Sequence, residues 1–185
     1  GQDAPAELTA KPAPVIVALL EKEKADSLQG ALTESATQGR QIYETLCTTC
    51  HGPDGKGVKS GDKLLAPAFM DSQWFKNNGD LAALARIVLK GQSGPIHGVS
   101  YGEGLMIPLE ETYNDEQLAS VLSYIGERWH NWKKPAAAAD IALVRKEIAG
   151  RKTPWTHEEL LALGKNGRPT KAEPRIADGG TGVPV

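Results

Sequence analysis

Leu46-Cys47-Thr48-Thr49-Cys50-His51 is the stretch on which the reading of this chain turns. Both cysteines of the 185 residues fall inside it, spaced C-x-x-C with a histidine directly after. Two thiols a helical turn apart reach the two vinyl groups on one edge of a porphyrin, and the adjacent imidazole then falls beneath the iron. C-x-x-C-H is therefore the spacing of covalent haem attachment. Three other readings compete. A thioredoxin-type dithiol sits at a helix start after a strand, within a βαβ pattern this chain lacks. Half a zinc site needs further Cys or His at matching spacing, and only the scattered His97, His130 and His157 remain. A structural disulfide at this separation is strained and closes too short a loop to contribute much entropy.

Working outward, Thr37 to Leu46 reads as the helix leading into the motif, with Gly39 and Tyr43 four apart on one face. After it, His51-Gly52-Pro53-Asp54-Gly55-Lys56-Gly57 is too rich in Gly and Pro for a regular element. Leu81, Leu84, Ile87 and Val88 recur at helical spacing behind Asp80, a candidate N-cap, and Gly91 lies just past the end. Pro95 to Gly104 reads as a loop leading to Met106. Asn114 with Gln117 resembles a capping box, and it opens a helix with Leu118, Val121, Leu122, Ile125 and Trp129 on one stripe.

Composition shifts divide the chain into an N-terminal extension (1–34), a central domain (35–134), a helical extension (135–163) and an irregular tail (164–185). The first contains Leu19-Leu20-Glu21-Lys22-Glu23-Lys24, enough for a short helix but with no second apolar stripe. It is expected to lie against the domain or stay mobile. In the third, Ile141, Leu143, Val144 and Ile148 mark one helix, and Thr156 with Glu159 caps a short second one. The tail holds Lys165, Arg168, Lys171 and Arg175, which suit either solvent or an acidic partner. No segment alternates long enough for a convincing strand, so an all-α fold with long loops is expected.

The residue totals agree with a bound ring. Only 5% of the chain is aromatic, with two Phe, which is little ring volume for a core of this size. A porphyrin supplies a large apolar ring that the sequence does not encode. A net charge of −2 provides no polycation for nucleic acid. The start, Gly1-Gln2-Asp3, lacks a charged n-region and reads as processed. The apolar run Val15-Ile16-Val17-Ala18-Leu19-Leu20 is far shorter than the roughly 20 residues of a membrane span, so no transmembrane segment is expected.

From about residue 36 to 133 the chain resembles monohaem c-type cytochromes of the mitochondrial-cytochrome-like class (class I). Gly39 and Tyr43 resemble the glycine and aromatic pair of that family's first helix, and Val121 and Tyr124 their partners on its last. The resemblance implies a cytochrome c-like fold around one haem c, held through Cys47 and Cys50 with His51 as proximal ligand. It also implies that the carbonyl of Pro67, in Leu65-Ala66-Pro67, accepts from the His51 nitrogen facing away from iron, fixing the ring. Met106, 55 residues after His51, resembles the family's sixth ligand, although Ile107 intervenes before Pro108 where many relatives have Met-Pro. His97, Met70 or an open position are the alternatives. Trp74 and Arg86 are candidate donors to the haem propionates, against packing under a loop for Trp74 and an exposed helix face for Arg86. His130 and Trp132 are expected to finish the last helix, and His157 to face solvent.

Gly94-Pro95-Ile96 through Met106, and Val121 through Trp129, resemble haem domains associated with bacterial periplasmic dehydrogenases. Val144-Arg145 and Pro154-Trp155-Thr156 are similar to segments some of those domains carry. The resemblance implies a periplasmic or exported carrier of single electrons from a dehydrogenase to an oxidase or another cytochrome. A soft thioether ligand favours Fe(II) and raises the potential. The alternative is a haem enzyme such as a peroxidase, or a gas sensor with a displaceable sixth ligand.

Overall fold

The computed structural model describes residues 14–102 and 104–163. It is mostly helical, as expected of the cytochrome c fold. The helix entering the motif starts much earlier than Thr37. α1 spans Pro14–Ile42, continues without a break through a wide π turn, Tyr43–Cys47, and ends in α2, Thr48–His51. The boundary drawn at residue 34 therefore falls inside a helix. Residues 14–26 are exposed, so propensity and continuity with the packed turns below, rather than burial of their own, carry this part. The tail and its four basic residues lie outside the described residues.

The two helices that frame the molecule cross where side chains are smallest. α4 spans Asp115–His130, and Asn114 starts it with a complete capping box: its side chain accepts from the Gln117 backbone, whose side chain accepts in return from Asn114 N–H. At the crossing with α1, Gly39 lies against the Ser120 carbonyl so tightly that a Cβ would overlap it. Ser35 and Gln38 hydrogen-bond the Ser120 hydroxyl beside it. One turn further on, Tyr43 packs its ring on Tyr124, Trp129 and Phe69 at 5.5, 5.2 and 6.1 Å between centroids.

α3, Leu81–Lys90, is capped by the Asp80 carboxylate, which accepts from Ala83 N–H at 3.1 Å, and ends at Gly91. Its buried Leu84, Ile87, Val88 and Leu89 meet Leu118, Val121, Leu122 and Ile125 of α4 in the core. α5, Ala138–Glu147, closes that core from the other side with Ile141 and Val144, followed by Ile148 just past its end. The helical extension thus shares one core with the central domain. Leu143, expected on the same stripe, is instead 68% exposed.

Among the described residues, five two-residue strands appear where alternation was too short to read. β1 (Lys59–Ser60) pairs with β2 (Lys63–Leu64) in a small hairpin. β3 (Gln92–Ser93) lies at the centre of a second sheet, antiparallel to β4 (Leu105–Met106) and parallel to β5 (Trp155–Thr156). The last element, α6, is His157–Ala162. Their main effect is positional. β4 holds Met106 opposite Gln92, and β5 brings the helical extension to the same edge.

Candidate functional site

A cavity of about 350 Å³ lies between the motif, α3, α4 and the loop that carries Met106. Cys47, Cys50, His51, Pro67, Trp74 and Met106 all line it. The helical backbone 43–51 spaces the motif. Cys47 ends the π turn half-buried, Cys50 is exposed one turn later, and His51 closes α2. Gly52, with φ of 73°, then turns the chain away. Burial pushes the Cys47 thiol up to about 11, with the neighbouring Cys50 adding to the effect and a backbone hydrogen bond opposing it.

The His51 ring stacks on Phe69, 4.3 Å between centroids and 14° from parallel. Its surroundings push it down to about 4, chiefly through burial, while the Pro67 carbonyl favours the protonated ring. Nδ1 is shut off from solvent and makes no hydrogen bond of good geometry, so the Pro67 contact is an approach rather than a formed bond. The loop after the motif is clasped from α4: Trp129 donates through Nε1 to the Asp54 carbonyl at 2.9 Å, and a Cβ on Gly55 would run into the same indole.

Met106 lines the cavity from β4. Its backbone pairs with β3, and Leu109 N–H donates to the Val88 carbonyl of α3 at 2.9 Å, so the loop is fastened on both sides of Ile107-Pro108, to β3 before it and to α3 after it. Arg145 of α5 fixes the next stretch, donating to the Asp115 carboxylate and to the Glu110 and Tyr113 carbonyls at 2.8, 2.7 and 3.0 Å.

Of the remaining candidates, Arg86 and His157 are placed differently from their reading. Arg86 is not among the cavity residues and is not on an exposed face. It is 1% exposed, donates to Glu147 at 2.7 Å and to the Ala82 carbonyl at 2.9 Å, and lies over the Trp155 ring. Met70 is 59% exposed and is not among the residues lining the cavity. His97 lines the cavity from its exposed loop. His130 ends α4 as expected, its Nε2 2.7 Å from the Phe69 carbonyl, and Trp132 donates to the Phe75 carbonyl at 2.8 Å. His157 corrects the expectation of a solvent-facing ring: it is 2% exposed and lines the cavity. The capping pair Thr156 and Glu159 was legible, but the β5–β3 pairing that turns residue 157 inward was not.

The wall chemistry suits a flat apolar ring bearing a few polar groups. Leu46, Leu84, Ile87, Val88, Val121 and Leu122 supply apolar surface. His51, Gln92 and His157 also line it, and each carries a buried nitrogen without a hydrogen-bond partner among the described residues. Paired thiols, an imidazole and a thioether at an apolar cavity form the donor set of a haem c site.

Comparison with known proteins points the same way. Residues 36–129 match the family model described as cytochrome c. The chain is similar to the cbb3-type cytochrome c oxidase subunit CcoP of Rhodobacter capsulatus, 33% identical over 91 residues, 49% of this chain and 28% of that one. It is also similar to the cbb3-type subunit FixP of Rhizobium meliloti (strain 1021), 34% identical over 62 residues, 34% of this chain and 19% of the relative. FixP of Rhizobium etli is 37% identical over 65 residues, 35% and 20% of the two chains. The chain spans less than a third of the length of each.

Proposed function

The chain belongs to the cytochrome c family, whose work is haem-based electron transfer, and from that premise we propose a class I carrier of single electrons with His51 and Met106 as axial ligands. The observation that carries this reading is that Cys47, Cys50, His51 and Met106 line one apolar cavity. Cys47 and Cys50 would hold the porphyrin edge as thioethers. The Pro67 carbonyl approaches the His51 ring and would orient it, and Trp74 covers the cavity beside His157. The bound haem supplies a centre that takes up and releases one electron. Strong ligands on both faces leave no position for a substrate, which favours a carrier over a peroxidase or gas sensor.

We take residues 35–134 as the haem unit, with 135–163 packed on it as a helical extension and 14–34 continuing its first helix upstream. Electrons enter and leave at the cavity mouth by Cys50 and Ile107, both exposed. Val99, 51% exposed, adds apolar surface on the loop before Met106. A small apolar contact of this kind suits a partner that must dissociate between turnovers. We place a dehydrogenase upstream and an oxidase or another cytochrome downstream; the oxidase subunits among the relatives support the latter. The compartment is the periplasm or its equivalent, where c-type haem is attached. Among the described residues no helix is long and apolar enough to cross a membrane.

Absorption spectra of the purified holoprotein in both redox states test the assignment. One haem c per chain, a methionine–iron charge-transfer band and no prompt response of the reduced form to carbon monoxide at neutral pH are expected. A prompt carbon monoxide spectrum would overturn the closed site in favour of a displaceable ligand.

A further inference from the structure

Arg145 lies outside the segment that matches the family model, which ends at residue 129, yet it grips the chain that follows Met106. Residues 107–114 join β4 to α4 and form neither helix nor strand, so the position of this stretch depends on what holds it. Each nitrogen of the Arg145 guanidinium serves a different acceptor there. Nη1 donates to the Glu110 carbonyl at 2.7 Å, Nη2 to the Tyr113 carbonyl at 3.0 Å and Nε to the carboxylate of Asp115, the first residue of α4, at 2.8 Å. The guanidinium is a rigid planar fork, so it holds the three acceptors at set separations. Glu110 is gripped a second time from α3: Lys90, 6% exposed, meets its carboxylate at 2.6 Å. Below the loop, β3 pairs Gln92 with Met106 on one edge and with Trp155 on the other, and Trp155 N–H donates to the Gly91 carbonyl at 3.0 Å. A Cβ on Gly91 would overlap the Met106 carbonyl, so the two backbones are in direct contact.

We propose that Arg145 is a positioning residue for the sixth ligand: by holding residues 110–115 against α5, it sets how readily Met106 leaves the iron. The inference rests on the reading of Met106 as that ligand. A ligand on a loop detaches when the loop moves, and movement of this one breaks charge-assisted hydrogen bonds, which are the strong kind. α5 is a fixed support rather than part of the loop, because Ile141 and Val144 anchor it in the core and Glu147 joins it to Arg86 of α3. Lysine cannot replace the fork, since a single ammonium can pair with Asp115 but cannot serve three acceptors held apart. The helical extension thus acts on the haem site without touching the haem. It keeps the sixth position closed, the condition that separates an electron carrier from a gas-binding centre.

Heating the purified holoprotein tests this, with haem content measured in each sample and two signals followed together. The methionine–iron charge-transfer band reports the ligand, and far-UV circular dichroism reports the helices. In R145K the band is expected to vanish further below the helix melting point than in wild type. Carbon monoxide should then bind the reduced form roughly tenfold faster or more, the rise in open population that follows the loss of one charge-assisted hydrogen bond. E147Q is the control, being on the same helix but directed at α3: it should lower both midpoints together and leave the gap between them as in wild type. An R145K variant with the wild-type gap and the wild-type carbon monoxide rate overturns the proposal and leaves Arg145 a support of the fold alone. Should R145K not retain haem, D115N, which weakens one of the three contacts, decides by the same signals. A wider gap is expected there too, and an unchanged one overturns the clamp. A wild type without the charge-transfer band overturns the Met106 assignment itself, which keeps the two failures distinct.

Discussion

Tyr43 donates its hydroxyl to the Gly52 carbonyl at 2.6 Å, tying the π turn that ends in Cys47 to the loop that follows His51. The bond spans the whole attachment motif, so it fixes the two cysteines and the histidine as one unit. The phenol stays protonated: burial raises its pKa first, with Cys47 and Tyr124 adding to it. Y43F keeps the ring contacts and removes only this bond. It is expected to lower stability by about 0.5–1.5 kcal/mol, measured by denaturant unfolding of the holoprotein. A variant as stable as wild type would show the bond to be dispensable.

The α1–α4 crossing leaves no room at Gly39, where an added Cβ meets backbone rather than a movable side chain. G39A must push the helices apart and is expected to cost about 1–3 kcal/mol, whereas G61A, with open space at its Cβ position, loses only through its φ of 61°. Comparison of the two unfolding midpoints separates crowding from backbone strain.

What the sequence revealed and what it hid divide along physical lines. Local signals were legible: Asp80, Asn114 and Thr156 cap the helices they were expected to cap, because a cap depends on residues three apart. The residues singled out by a fixed spacing and a family resemblance, Cys47, Cys50, His51, Pro67, Trp74 and Met106, all line one cavity. Arg86 and His157 were misread because their surroundings come from far along the chain. Arg86 meets Glu147 across 61 positions, and His157 turns inward only through a two-residue parallel pairing with β3. The length of α1 was missed since its first turns bury nothing that a periodic pattern would reveal.

Arg86 and Glu147 form a pair with one end fully buried and the other open, at 1% and 59% exposure. E147Q removes the negative charge of the Glu147 partner while the Ala82 carbonyl and the Trp155 ring stay in place. A loss of about 1.5–3 kcal/mol is expected, read as a lower unfolding midpoint. Removing Glu44 from its exposed pair with Arg40 is expected to have no measurable effect, because solvent screens such pairs.

Met106 is the only candidate sixth ligand that both lines the cavity and sits on a paired strand. M106A is expected to lose the methionine–iron charge-transfer band, to lower the reduction potential as a soft ligand is withdrawn, and to bind carbon monoxide promptly. H97A should keep the charge-transfer band and stay unresponsive to carbon monoxide. If the two variants exchanged these behaviours, His97 would be the ligand.

The attachment of the C-terminal segment should depend on pH through Glu159. Burial raises its pKa, but the Thr156 backbone N–H and Arg151 together outweigh that and hold it below the ordinary carboxylate value. A carboxylate depressed on folding stabilises fully above its unfolded pKa, roughly 4.3, and that stabilisation is lost as pH falls through the lower folded value. Acid is therefore expected to release α6 and expose Trp155, read as a change in tryptophan emission below about pH 4. T156A removes the cap that accepts from Glu159 N–H and should cost about 1 kcal/mol, moving the acid release to higher pH. E159Q abolishes the carboxylate's titration, so an emission transition unchanged in that variant would assign the release to another group.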